Sequence, residues 1–338
     1  MRVIFDARAI GPELPGIGRA TIGLLRGLAE ADHDHRVTVL HLPGHEDLLP
    51  TLDGRFDRKA VAIGPYSFLG QLRVPIPAHD LWHAPYFVRP LAGVRRAVVT
   101  AYDLIAPVRS SRWKWALRTR LSYRLASRIV AISEATRDAL VSRLGIARSR
   151  VDVAPLGVDS HFRPVAVDPG EKYVLYVGTN KPHKNVDALI QAWRRLAPAS
   201  TRLVIAGPED PRFPSARQLY PDDARYLGAV PDEDLPALIS GAVCLVFPSL
   251  VEGFGLPPLE AMACGTPVLA SNRASIPEVV GDAGLLVEPT VEGIENGMRL
   301  MLSDAAMRAE FRRRGLERAA RFTWKACAER TLEAWARA

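Results

Sequence analysis

The sequence predicts an α/β protein built from two doubly wound, Rossmann-like domains. Three observations carry that prediction. Strand-length apolar runs alternate with helix-length stretches along the whole chain, the pattern of parallel sheets wound with helices. Its 338 residues exceed what one hydrophobic core comfortably serves and suit two domains of ordinary size. Several apolar runs pass directly into loops of Gly, Pro, Lys or Asn ahead of a helix start, where open parallel sheets hold ligands. The expected divisions are residues 1–165, residues 166–320 and a final helix over 321–338.

Composition narrows the class. An apolar fraction of 48% supports folded domains, and no apolar stretch reaches the roughly 18 residues of a membrane-spanning helix. Met1–Asp6 reads as a strand rather than a signal peptide because polar residues follow at once, so a cytoplasmic location is expected. Cys244, Cys264 and Cys327 lie in or beside apolar segments and read as reduced core residues. The formal charge of +7 would draw nucleic acid, anionic lipid or phosphorylated substrates alike. Much of it falls between Asp103 and Glu134, where seven cations occur without an acid: Arg109, Arg112, Lys114, Arg118, Arg120, Arg124 and Arg128. Trp113 and Trp115 are threaded among them, and Leu117, Leu121 and Leu125 recur at helical spacing. This basic helix either packs its leucines inward or meets an anionic membrane face as a peripheral contact. No nucleic-acid-binding module accompanies the charge, so nucleic acid is set aside.

In chain order, Arg2–Asp6 is the first strand, and the loop containing Gly16 and Gly18 precedes a helix from about Ala20 to Ala31. Glycines there either admit a ligand to the helix N-terminus or simply turn the chain. Strands are expected at Val37–Leu40 and Lys59–Ile63. Asp32–His35 reads as a polar surface turn, since four candidate ligands so close cannot easily all face one ion. Pro65, Tyr66, Phe68 and Leu69 form a mixed segment suited to an acceptor loop. Asp80–Tyr86 runs from a strand into its carboxyl-end loop, leaving His83 either at a ligand edge or buried against a carbonyl. Ala97–Ala101 and Arg128–Ile132 are further strands, and Ser133 then caps a helix with Glu134 in its first turn. Val151–Pro155 ends the first domain.

The second domain opens with the strand Lys172–Gly178 and the loop Thr179–Asn185, where Lys181 and Lys184 either meet a phosphate or face solvent. A helix to Leu196, the strand Arg202–Ala206 and the rim Tyr226–Pro231 follow. Asp232, Glu233 and Asp234 are negative charges at a helix start rather than a metal site. Val243–Phe247 then leads into EGFGLPPLEAMACG, residues 252–265. Two glycines and two prolines before a run of helix formers make a corner able to hold an anion. Glu252 and Glu260, eight residues apart, would beside a phosphate accept hydrogen bonds from the neutral hydroxyls of a sugar or ribose. The same run reads equally as a proline-started helix packed on a sheet. Strands Pro267–Ala270 and Leu285–Val287 and helices Val291–Leu302, Asp304–Ala320 and Thr323–Ala336 complete the chain.

With EGFGLPPLEAMACGTPVLAS intact, Glu252 and Glu260 resemble the E-x7-E signature of the retaining glycosyltransferases of family 4. Gly16–Arg19 resembles that family's first glycine-rich loop, Asp80–Tyr86 its D-x-x-H-x-P-x stretch, and GTNKPHKN its G-x-x-x-P-x-K-N motif. Two positions depart from the pattern: Tyr102 stands where many relatives carry histidine, and Thr179 where many carry arginine. The resemblance implies the GT-B fold, two Rossmann-like domains facing each other across a cleft, with the last helix crossing back to the first. It implies metal-independent, configuration-retaining transfer from a nucleotide sugar, without a cofactor, in polysaccharide biosynthesis. His83, Glu252 and Lys184 become the implied catalytic set. Gly16, Gly18, Gly178, Thr179, Lys181, Lys184, Gly228, Val230, Glu252, Gly253, Phe254, Gly255, Leu256 and Glu260 become the implied donor site. The likeness is to bacterial mannosyltransferases above all, giving GDP-mannose as donor and a glycan, glycoside or lipid-linked acceptor. UDP-glucose, UDP-N-acetylglucosamine and a non-catalytic nucleotide-sugar binder are the alternatives.

Overall fold

The computed structural model describes residues 1–11, 16–67, 74, 78–104, 112–168, 170–198, 200–213 and 224–338, without the side chains of 112–115. Two compact units emerge: Met1–Gly157 together with Thr323–Ala338, and Val158–Phe322.

The first unit is a parallel sheet of β1 (Arg2–Asp6), β2 (Arg36–His41), β3 (Phe56–Ala60), β4 (Leu81–Ala84), β5 (Ala97–Ala101), β6 (Arg128–Ala131) and β7 (Val151–Val153). The spatial order is β3-β2-β1-β4-β5-β6-β7. Both β4 and β5 are buried at every residue, as parallel strands covered on two faces are, which explains their near-continuous apolar sequence. Strand order reverses between β1 and β4, and there the carboxyl ends of a doubly wound sheet part to leave a crevice. The sheet is wound with α1 (Gly16–Glu30), α2 (Arg112–Leu125) and α3 (Glu134–Leu144). Ser133 caps α3 by accepting the Thr136 N–H at 3.0 Å, and left-handed Gly145 terminates it.

On α2 the leucines do not pack inward. Thr119, Ser122 and Tyr123 are buried, whereas Leu117, Leu121 and Leu125 are 59%, 37% and 46% exposed beside exposed Arg120 and Arg124. Two arginines from elsewhere in the unit fix the end of the helix. Arg89 donates to the Leu125 carbonyl at 2.6 Å, and Arg150 donates to those of Tyr123 and Arg124 at 3.2 and 3.1 Å. Periodicity located the stripe, while burial of the Tyr123 ring decided which way it turned. Phe68, Leu69, Arg109 and the side chains of Arg112, Trp113, Lys114 and Trp115 lie outside the described residues.

The second unit repeats the architecture with β8 (Tyr173–Val177), β9 (Arg202–Ala206), β10 (Ala224–Gly228), β11 (Cys244–Phe247), β12 (Val268–Ser271) and β13 (Leu285–Val287). These pair in parallel in the order β10-β9-β8-β11-β12-β13, reversing between β8 and β11. Its helices are α4 (Val186–Leu196), α5 (Leu235–Ser240), α6 (Leu256–Ala263), α7 (Ile276–Val280), α8 (Val291–Ser303) and α9 (Ala305–Ala319). Leu189, Trp193, Met298 and Met301 join α4 and α8 in one core beneath β8 and β9. Cys244, Cys264 and Cys327 are free and buried, and burial pushes each thiol up to about 12.

The last helix, α10 (Trp324–Ala336), belongs to the first unit and lies along α1. Glycine makes that contact. A Cβ on Gly23 would fall 2.1 Å from the Trp324 indole, and one on Gly27 would fall 2.0 Å from the Trp324 carbonyl oxygen. Because the second obstacle is backbone, Gly27→Ala must displace α10 and should cost about 1–3 kcal/mol despite alanine's higher helix propensity. Gly16→Ala, which meets nothing within 4 Å, is the control. Urea denaturation followed by tryptophan fluorescence checks this, and equal midpoints for Gly27→Ala and wild type would refute the packing argument.

Candidate active site

At the order reversal of the second sheet, the loops leaving β8 and β11 are joined by several bonds. Asn185, held at φ 58°, donates its side-chain amide to the carbonyls of Pro248 and Pro289 at 3.2 and 2.8 Å. The Leu250 N–H donates to the His183 carbonyl at 2.7 Å. Lys184 Nζ donates to Glu252 Oε1 at 2.6 Å, with their side chains 17% and 13% exposed. The ammonium also lies 5.3 Å from the centre of the Phe247 ring. A lysine and a glutamate singled out separately in the sequence are thus one contact. Burial, then the neighbouring Lys184 charge, lower the His183 pKa, which disfavours a second positive charge beside Lys184. Lys181, partly buried at the start of the Pro182–Lys184 turn, is the other cation of the loop.

The turn into α6 is shaped by Gly255 at φ 114°, whose added Cβ would meet Ile276 at 2.9 Å. Pro257 and Pro258 remove two first-turn donors, leaving the amides of Gly255 and Leu256 as the N–H groups at the start of the helix. The Ser275 hydroxyl lies 3.0 and 2.9 Å from the carbonyls of Glu252 and Phe254 and ties that loop to the start of α7. Phe254 is buried edge-on to Phe322, and Glu260 is 4% exposed on α6. Along the neighbouring carboxyl ends, Gly207 N–H donates to the Gly228 carbonyl at 2.7 Å, and a Cβ on Gly207 would fall 2.1 Å from the Gly178 oxygen. Val230 is partly buried just beyond. The hydroxyls of Thr179 and Ser249 are buried without a hydrogen-bond partner among the described residues, which suits them to a ligand's oxygens. Asn185, Ser249 and Ser275 were not singled out in the sequence. Asn185 had a signal there, as the final letter of the lysine motif, and Ser275 lies in the stretch Ser271–Glu278 that resembles another loop of the family.

In the first unit, Gly16 and Gly18 fall within α1, which starts at Gly16 rather than near Ala20. His83 is fully buried on β4. Its Nδ1 accepts the Trp335 indole N–H at 3.0 Å, and its Nε2 lies 3.0 Å from Thr100 Oγ1. Burial lowers its pKa to about 3, so the ring is neutral. With Nδ1 accepting, the proton is on Nε2 and is donated to Thr100. Both ring nitrogens are engaged within the unit, where His83 links Thr100 of β5 to Trp335 of α10.

Residues 15–162 match the family model described as Glycosyltransferase Family 4, and residues 158–318 match that described as Glycosyl transferases group 1. O-antigen chain mannosyltransferase B of Escherichia coli is 32% identical, over 99% of this chain and 99% of its own length. The chain belongs to glycosyltransferase family 4. Another relative of this transferase is the MMP alpha-(1->4)-mannosyltransferase of Mycolicibacterium hassiacum, 28% identical over 70% of this chain and 62% of that protein. Sucrose-phosphate synthase of Thermosynechococcus elongatus superposes with a TM-score of 0.75 at 21% identity, covering 99% of this chain and 98% of that one. Anabaena HepE in complex with UDP and glucose gives 0.75 at 18% identity, covering 99% of both chains. The fold of the transferase is accordingly GT-B.

The buried histidine gives the transferase an acid sensitivity of known sign. Between about pH 6.5 and 3 the unfolded chain binds a proton at His83 that the folded one does not, so stability falls as pH falls. The loss approaches about 1.4 kcal/mol per pH unit inside that window. His83→Gln, which cannot titrate, should lower stability at neutral pH yet lose less between about pH 6 and pH 4. Urea midpoints across that range check it, and identical slopes would show that His83 titrates normally.

Proposed function

We propose that the transferase moves mannose from GDP-mannose to a hydroxyl of a glycan, glycoside or lipid-linked acceptor, with retention of configuration and without a metal ion. The Lys184–Glu252 contact at the reversal of the second sheet carries this reading. A donor diphosphate competes for the ammonium, and the released Glu252 carboxylate can then accept a hydrogen bond from a hydroxyl of the donor sugar. As the glycosidic bond breaks, negative charge grows on the departing phosphate oxygen, so a fixed ammonium gives more to the transition state than to the ground state. The amides of Gly255 and Leu256 add partial positive charge at the helix start. Front-face attack assisted by the leaving phosphate, with no protein nucleophile, is the course such a site serves. Glu260 is assigned to the ribose, and the backbone near Gly228 and Val230 to the base. Mannose rests on the relatives named for mannosyl transfer. A UDP-sugar is the alternative, since HepE was solved with UDP and glucose.

The outward face of α2 supports a peripheral contact with an anionic membrane. Leucines exposed on three successive turns, with Arg120 and Arg124 beside them, combine apolar insertion with attraction to acidic headgroups. No helix among the described residues is long and apolar enough to cross a membrane.

Loss of the Lys184 ammonium should remove a charge-assisted bond worth roughly 1.5–3 kcal/mol, so Lys184→Ala should lower turnover at least about tenfold with the fold intact. Glu252→Gln should lower turnover more than nucleotide affinity. Steady-state rates in excess chelator, with calorimetric titration of GDP and UDP, check the set: unchanged turnover in Lys184→Ala would remove the lysine from the chemistry, tighter binding of UDP would overturn GDP-mannose, and chelator-sensitive turnover would overturn metal independence. Flotation with phosphatidylglycerol-containing vesicles checks the membrane contact. Leu117→Gln/Leu121→Gln should weaken binding to them several-fold, and equal recovery with purely zwitterionic vesicles would sink the proposal.

A further inference from the structure

The first unit holds an aromatic face that the donor chemistry does not use. It stands at the reversal between β1 and β4, where a doubly wound sheet opens its crevice. Just after β1, Arg8 donates from Nε and Nη2 to the two carboxylate oxygens of Asp6 at 2.7 Å each, both side chains being 1% exposed. Its remaining arm, Nη1, donates to the Ile63 carbonyl at 2.8 Å. Three residues further on, the Tyr66 carbonyl accepts from Arg118 of α2 at 2.7 Å. The segment between is therefore gripped at both ends. The Tyr66 ring stacks on Phe87, beyond β4, with centroids 5.6 Å apart and planes 21° apart, and lies 5.8 Å from buried Tyr86. Despite this support Tyr66 is 44% exposed.

A buried ion pair adds little net stability, so the chief result of the Asp6–Arg8 pair is the fixed position of this loop. Arg8 is matched by Asp6 and presents no net charge to attract an anion. The Tyr66 phenol is neutral at ordinary pH and can donate. The surface on offer is a rigid, uncharged aromatic plane with a hydroxyl at its edge. A pyranose is complementary to it, having C–H bonds on one face and hydroxyls around the rim.

We infer that Tyr66, backed by Phe87, is the stacking subsite for a pyranose ring of the acceptor. The inference rests on reading the chain as a sugar transferase, and it names a residue that selects the acceptor rather than the donor.

Saturation-transfer NMR with methyl α-D-mannopyranoside and methyl α-D-glucopyranoside, with GDP and UDP titrated into the same samples, tests it. At least one glycoside should bind the wild type, Tyr66→Ala should weaken it about tenfold, Tyr66→Phe should retain most of it, and nucleotide affinity should not change. No response from either glycoside in the wild type, or an undiminished response in Tyr66→Ala, overturns the subsite. Parallel loss of nucleotide binding in Tyr66→Ala overturns it too, by making the residue structural. A wild type that binds glycoside through Tyr66 but neither nucleotide upholds the sugar site and refutes the donor reading instead.

Discussion

Parallel pairing is the constraint on which both units depend. Strands that all run one way must be joined by crossovers, and each sheet is then covered on both faces and bears its functional loops on one edge. Within that edge, neighbouring loops separate only where strand order reverses. In the second unit the reversal lies between β8 and β11, and the loops leaving those strands carry Lys184 and Glu252. In the first it lies between β1 and β4, whose following residues include Arg8, Tyr86 and Phe87. Chemistry is thus concentrated by topology before any side chain is chosen.

Several arginines among the described residues are committed to backbone. Arg55 donates to the carbonyls of Ala29, Ala31 and His33, Arg89 to those of Leu125 and Val94, Arg318 to those of Glu278 and Val279, and Arg8 to that of Ile63. A guanidinium suits this work because its forked donors reach two or three acceptors while staying charged. The donors of these arginines are therefore engaged, although their charge still counts in the net +7. What α2 exposes and what Lys184 holds matter more than the sum.

The sequence made the strands, their carboxyl-end loops and the EGFG corner readable because those depend on local pattern and on glycine and proline chemistry. Lys184 was legible for the same reason, as a cation in a strand-to-helix loop. His83 was not, since every residue of β4 is buried and alternation cannot tell an inward ring from one at a ligand edge. Its partner, Trp335, lies 252 residues away. For α2, helical spacing gave the leucine stripe, but its direction followed from contacts with Arg89, Arg150 and the core. Thr179 was legible only as the residue standing where many relatives carry arginine, and Ser249 not at all; their buried hydroxyls, without a hydrogen-bond partner among the described residues, emerge from the packing.

The passage of α10 into the first unit has a bearing on biosynthesis. Val158–Phe322 is continuous, so the second unit has all its strands as soon as that stretch has left the ribosome. The first unit begins to emerge earlier but lacks Thr323–Ala338, the segment that covers Gly23 and Gly27 and brings Trp335 to His83. Its apolar α1 face therefore stays uncovered throughout translation of the intervening residues. The unit whose strands are made first is thus the one that waits for a later segment to cover its helix.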